Sequence, residues 1–430
     1  MPKGRGSRAD SMNQCIIGLV LILGMTLGPA VAQDTTLDPI DLATEFKTLE
    51  DTTESIRGLE TLQEVEKAFP TRADIQAYIK DILDTELSDE AIVEAMAFYV
   101  AFDLLEAKTD LREVYTTLLG QQIAGYYDTE TKLMNVVSMG ATDTQASLGL
   151  LERIIYVHEY THALQDQHFD LDAYIAVAEG TQNNDMSLAR LALVEGDATY
   201  VMNEYAVVEA NKDPLGALLE LAVGSTQMGG LTLPPGTPDI LGTELLFPYL
   251  EGEKFVRDLR AQGGQPVVDR AYHQPPTSTE QILHPELYLS GDIPKTVLLP
   301  VVIPDESWSP VTNGVLGEFY MQQHLLTQLS PQEARDAAAG WGGDAFQIYQ
   351  QEDGTLATVF HLVWDSKAEQ TEFETIYDTF ATAQRGSAKD GCYSGAKSVT
   401  CVLWQDEGST IAYAPSEPIA RQLIEDARKR

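Results

Sequence analysis

Apolar positions along the chain recur mostly at helical spacing and switch to strand-like alternation in two places. From about Leu59 to Leu119 the pattern is helical. Helix starts fall at Thr71-Arg-Ala-Asp, after Pro70, and at Ser88-Asp-Glu-Ala, where a hydroxyl can cap the first turn. At Ile123 the texture changes. Ile-Ala-Gly-Tyr-Tyr-Asp and Leu-Met-Asn-Val-Val read as two short strands around a polar turn at Asp128 to Thr131. Helical patterns follow from about Ala146 to His168, from about Asp185 to Val208, and from Leu241 to Leu259. Residues 271 to 310 are punctuated by proline and read as irregular. A helix opening at Ser330 stops at Gly340, and alternation returns through Trp364. A helix near Ala368 to Ala383 then precedes a hairpin carrying Cys392 and Cys401. The expected class is α+β, mostly helical, ending in a small α+β module.

The organisation expected from these changes has four parts. Residues 1–32 form a targeting segment. Residues 33–118 form an N-terminal helical region, whose polar, Thr/Asp-rich start to about residue 55 reads as a flexible lead-in. Residues 119–330 hold the chemistry, and residues 331–430 form the C-terminal module. A chain of 430 residues exceeds one simple core and fits several such parts.

The first segment has the layout of a signal peptide. Lys3, Arg5 and Arg8 are followed by an apolar run from Ile16 to Leu27, and Ala30-Val31-Ala32 supplies a small-x-small cleavage pattern. The run is short for a membrane span, which needs ~20 apolar residues, and no later segment approaches that length. The expected mature chain begins near Gln33, lies in the periplasm or outside the cell, and has no stable membrane span. Cys392 and Cys401 then read as one disulfide, because exported chains live in an oxidising compartment.

Charge narrows the class of partner. Asp and Glu number 66 against 28 Lys and Arg, a formal charge of −38. Such a surface repels nucleic-acid phosphates, so no nucleic-acid role is expected. With 44% apolar and 22% charged residues the chain is of ordinary globular composition rather than disordered.

The informative segment is Ile155-Tyr-Val-His158-Glu159-Tyr-Thr-His162-Ala-Leu164, an H-E-x-x-H pattern inside a helix. Positions i and i+4 share one face, so His158 and His162 can reach one ion. Glu159 lies about 100° around the helix, placed to act on a water beside that ion as general base. The absence of charge through the flanks suits a buried helix. A catalytic Zn2+ commonly takes three protein ligands. Glu195, in Leu191-Ala-Leu-Val-Glu195-Gly196-Asp197-Ala198, is a carboxylate in an apolar stretch that needs a partner, and it is the expected third ligand. The alternative is a salt bridge to Arg190 or Arg153. Asp197 is a candidate partner for a ligand imidazole.

His158-Glu-x-x-His162 followed by Glu195-Gly-x-Ala on a later helix resembles the gluzincin superfamily of zinc metallopeptidases, whose broad plan thermolysin shares. The hairpin Gly125-Tyr-Tyr-Asp…Met134-Asn-Val-Val resembles the strand pair before the active-site helix of that family. The resemblance covers roughly residues 120 to 210. It implies a gluzincin-like core, zinc on His158, His162 and Glu195, Glu159 as general base, and an edge strand that aligns an extended peptide by β-addition. It also implies a downstream oxyanion donor. His284 is the favoured residue, with Tyr272, His273 and Tyr288 as alternatives. The chain departs from thermolysin proper in carrying Glu-Gly-Asp-Ala at the third ligand, so substrate preference does not carry over. The expected function is an exported zinc peptidase acting on peptide or protein substrates. The alternative is a non-proteolytic, zinc-stabilised envelope binding or assembly protein.

Overall fold

The computed structural model describes residues 42–120, 125–136, 148–179, 181, 183–217, 234–301, 303–396 and 398–428. The expected signal segment, its cleavage point at Ala32 and the first half of the Gly/Pro-rich loop at 229–238 lie outside them.

The described chain opens with helix α1 (Leu42–Arg57), where the sequence reading has a flexible lead-in. The physical reason is a sparse stripe: Phe46, Leu49, Thr53 and Arg57 are buried along one face while threonines and acids cover the rest. A short strand β1 (Glu66–Ala68) follows, inside the region expected to be helical throughout. Helices α2 (Arg72–Glu86) and α3 (Asp89–Ala101) begin where expected, with Thr71 and Ser88 accepting from the Asp74 and Ala91 amides. Helix α4 (Leu111–Gly120) leads to strands β2 (Gly125–Asp128) and β3 (Leu133–Val136), the expected hairpin. β1 pairs parallel to β3, giving a three-stranded sheet in the order β1-β3-β2, with β2 on one edge.

The centre is helical. α5 (Leu150–Phe169), α6 (Leu171–Glu179), α7 (Asn184–Lys212) and α8 (Asp239–Gly263) are followed by α9 (Gln265–His273), α10 (Thr279–Leu283) and α11 (Pro285–Ser290). The last two are short helices in a stretch expected to be irregular. They are capped by Ser278 and started by Pro285, which sets the first turn without needing an N–H partner.

The C-terminal sheet runs β4-β5-β6-β9-β8-β7, all neighbours antiparallel. Its strands are β4 (Ser309–Gly314), β5 (Trp341–Gln350), β6 (Leu356–Trp364), β7 (Cys392–Ser394), β8 (Val399–Gln405) and β9 (Gly408–Ala414). Its helices are α12 (Gly317–Leu326), α13 (Pro331–Ala338), α14 (Lys367–Arg385) and α15 (Glu417–Ala427). Cys392 and Cys401 face each other across β7 and β8 and form the expected disulfide. The fold is thus α+β with helix predominating. Among the described residues, no helix is long and apolar enough to cross a membrane.

One buried cluster links these parts. Phe98 of α3, Leu193 of α7, Phe255 of α8 and Phe346 and Phe360 of the large sheet belong to it. A core shared in this way holds α7 and α8 as rigid elements, which positions the side chains described next.

Candidate metal centre

α5 and α7 lie antiparallel. Arg153 pairs with Glu209 at 3.4 Å near one end, and Gln165 donates to the Val194 carbonyl at 3.0 Å further along. The antiparallel return brings Glu195 to the two histidines. His158 Nε2 lies 3.1 Å from His162 Nε2, and Glu195 Oε2 lies 3.2 and 3.4 Å from them. All three residues are buried. Arg190 and Arg153, the alternative partners for Glu195, are engaged with the Tyr174 carbonyl and Glu209. Glu195 Oε1 has no hydrogen-bond partner. Its carboxyl is held down, at about 2: burial opposes this, and the imidazoles of His162 and His158 outweigh it.

Both central helices are apolar or buried all round at this level, as the uncharged flanks of the motif imply. On α5 burial is continuous from Ile154 to Asp166, and on α7 from Ser187 to Thr199.

Glu159 is buried beside the cluster but is not part of it. Its Oε2 accepts the backbone N–H of Tyr127 on β2 at 3.0 Å. Burial raises its pKa, and the His158 and His162 rings only partly offset this. The two glutamates are therefore driven in opposite directions by their surroundings. The hairpin is tied to the same helix from the other side, because the Tyr127 hydroxyl donates to Asp166 Oδ2 at 2.8 Å and Lys132 also pairs with Asp166. Gly125 lies against the same helix, where a Cβ would stand 3.6 Å from Ile155 and 3.9 Å from Glu159.

A chain of polar contacts sets the orientation of one imidazole. Gln165 Oε1 lies 2.8 Å from His162 Nδ1, so that nitrogen donates to it and Nε2 is turned toward the cluster. Gln165 is held in turn by Asp197, whose Oδ2 also accepts from Arg57 Nε at 2.7 Å and from the Tyr272 hydroxyl at 2.9 Å. Asp197 thus acts on the imidazole through Gln165 rather than directly. Tyr272, an alternative for the oxyanion donor, is committed to Asp197.

α8 supplies a further residue. Tyr249 stacks on the His158 ring with centroids 6.0 Å apart. Burial and the adjacent Glu195 and Glu159 push its phenol well above the ordinary value, so it is a neutral O–H donor, hydrogen-bonded to Glu195 at the edge of the cluster. The approach depends on two glycines. A Cβ on Gly196 would stand 2.1 Å from the Gly252 carbonyl carbon, and one on Gly252 would stand 2.0 Å from the Ala192 oxygen.

His284 sits elsewhere. It is partly exposed, with Nε2 3.0 Å from Glu318 on α12, and Glu286 is within 4.0 Å. Its helix, α10, docks on Asp185, whose carboxylate accepts the Thr279 amide at 3.1 Å. Ten residues of α7, about 15 Å at 1.5 Å per residue, separate that point from Glu195. The structure engages His284 with Glu318 and assigns the place beside the cluster to Tyr249.

Sequence reasoning passes over Gln165, Tyr249 and Arg57. Gln165 is findable, as a polar residue three positions after His162 on an otherwise buried face. Tyr249 and Arg57 carry no local signal. Residues 308–423, the C-terminal sheet and its helices, are similar to a family described as a domain of unknown function (DUF8575). No curated protein and no solved structure matches the chain.

Proposed function

We propose that the chain is an exported zinc-dependent peptidase, a divergent relative of the gluzincins, with His158, His162 and Glu195 as metal ligands and Glu159 as general base. The observation that carries this reading is the convergence of two imidazole nitrogens and one carboxylate oxygen within 3.4 Å of one another. Ligands about 2.05 Å from a tetrahedral ion stand about 3.3 Å apart, so the donor set has the size and chemistry of a zinc site. The unpartnered Glu195 Oε1 and the turn of His162 Nε2 toward the cluster agree with it.

Zinc held there supplies a Lewis acid that polarises a carbonyl and makes water nucleophilic near neutral pH. The chain supplies the rest. Glu159 takes the proton from the attacking water and passes it to the leaving amine. Tyr249 donates its O–H to the oxygen on which charge develops. The edge strand β2, whose Tyr127 amide touches Glu159, offers main-chain groups along which an extended peptide can lie. The strongly negative surface disfavours acidic substrates. The disulfide and the signal-like N-terminus support export.

Metal analysis and peptide hydrolysis on wild type, Glu159→Gln and His162→Ala test the reading together. Wild type and Glu159→Gln should carry stoichiometric zinc, His162→Ala should lose it, and only wild type should cleave. Cleavage by Glu159→Gln at the wild-type rate, or no metal in wild type, would sink it. Zinc without cleavage of any peptide or envelope protein would favour the binding alternative.

A further inference from the structure

A second group of acids lies away from the histidines and has no role in the reading above. Glu280 on α10, Asp292 just past the end of α11 and Asp365 between β6 and α14 each present a carboxylate oxygen, all within 4.8 Å of one another. Clustered surface acids need no ligand, but Glu280 is not at the surface. It has no exposed area, and neither of its carboxylate oxygens has a hydrogen-bond partner. A buried, unpaired carboxylate aimed at two others is unfavourable unless it takes up a proton or a cation joins the three. Lys295 reaches only the margin of the group. Its ammonium lies 3.4 Å from Asp365 Oδ1 and is half exposed.

Hydrogen bonds fasten the segments that carry the three positions. The Lys295 amide donates to the Gly342 carbonyl at 2.7 Å, and the Asp365 amide donates to the Gly340 carbonyl at 3.0 Å. Gln281 Nε2 donates to the Asp292 carbonyl, fixing the turn after α11 to α10. The carboxylates therefore meet without an ordering step when an ion arrives.

We propose that Glu280, Asp292 and Asp365 form a binding site for a hard divalent cation, calcium in preference to magnesium. The carboxylate oxygens all lie within 4.8 Å of one another, close enough for one ion with calcium–oxygen bonds of about 2.4 Å to touch all three. Three carboxylates, each able to bind through one or both oxygens, suit calcium's variable coordination, with water completing it. Magnesium requires a tighter octahedron and sheds water reluctantly. All-oxygen ligation also separates this site from the histidine-containing cluster, which suits zinc. The ion would fasten the helices that dock on Asp185 of α7 to the end of the C-terminal sheet. It would be a structural clamp that stands whether or not the peptidase reading holds.

The test uses the full mature chain, passed over a chelating resin and resupplied with equimolar zinc. Calcium chloride is titrated by calorimetry, and thermal melts are run in calcium, magnesium and matched sodium chloride. Wild type should show saturable calcium binding at millimolar or tighter affinity and melt several degrees higher in calcium than in the other salts. Asp365→Asn should weaken binding about tenfold or more, because a ligand charge is lost. Glu280→Gln should abolish the calcium shift and melt higher than wild type in its absence. Asp292→Asn, at a partly exposed position, repeats the test if Glu280→Gln fails to fold. No saturable binding, an equal response to magnesium or sodium, or an Asp365→Asn variant titrating like wild type would overturn the proposal.

Discussion

Arg57 Nε lies 2.7 Å from Asp197 Oδ2 across 140 residues of sequence, and both side chains are fully buried. The pair joins α1 to the helix that carries Glu195, two positions before Asp197. Arg57 also donates to Asp269 at 2.8 Å and lies 5.9 Å from the Phe169 and Tyr272 ring centroids. It thus closes the polar chain that runs through Asp197 and Gln165 to His162.

Removing one partner of such a pair leaves the other charge buried. Arg57→Met is expected to cost about 3–5 kcal/mol of stability, read by urea unfolding. Because Gln165 loses part of its anchor, zinc affinity at the proposed site should also fall, by about 10–100-fold. The double variant Arg57→Met/Asp197→Asn should recover much of the stability but not the affinity. A single variant within experimental error of wild type would show that the pair contributes neither.

Tyr249→Phe removes the O–H that faces Glu195 and Glu159 while keeping the ring that stacks on His158. In the proposed reaction it should lower kcat by about 10²–10³. KM, zinc content and melting temperature should change little. If kcat is unaffected, the oxyanion donor is another group. The corresponding change His284→Ala is expected to leave kcat near wild type, since His284 is engaged with Glu318.

Gly196→Ala tests the contact between α7 and α8. The added Cβ would meet the Gly252 backbone at 2.1 Å, which neither backbone can accept without moving. Overpacking costs about 1–3 kcal/mol. Alanine gains about 1 kcal/mol over glycine in a helix interior. A net loss of stability is expected in thermal melts, together with weaker turnover as Tyr249 moves away. A stabilised variant would contradict the close approach.

Glu244 on α8 gives stability a pH dependence. Burial lifts its pKa from 4.5 to about 7, although the Tyr99 and Tyr320 hydroxyls donate to it and lower it. The folded state therefore holds the proton more tightly than the unfolded state. This contribution is full below the unfolded value near 4.5 and is lost as pH rises through about 7. The loss is on the order of 3 kcal/mol. Melting temperatures measured across that range should fall less steeply for Glu244→Gln than for wild type. Parallel curves would show that Glu244 does not titrate differently on folding.

Much of the local architecture is legible in the sequence. Thr71 and Ser88 mark helix starts because capping needs only a side chain and an amide three residues on. The hairpin at Gly125–Val136 follows from alternation around a polar turn. The helix α1 and the strand β1 are not legible in the same way. α1 exposes most of its polar residues and buries few apolar ones, and β1 is only three residues long and exists through its pairing with β3.

The residues of the candidate metal centre divide along the same line. His158, Glu159 and His162 declare themselves because helical geometry converts a spacing of four into a shared face. Glu195 stands out as a carboxylate in an apolar run. These inferences need no knowledge of the rest of the chain. That Glu195 meets both histidines, that Tyr249 rather than His284 lies beside them, and that Arg57 supports them from a distant helix were decided only by tertiary packing. Each depends on contacts between segments far apart in sequence, through a glycine-to-glycine approach and a buried ion pair. Such energies belong to the assembled core and leave no periodic trace in the chain.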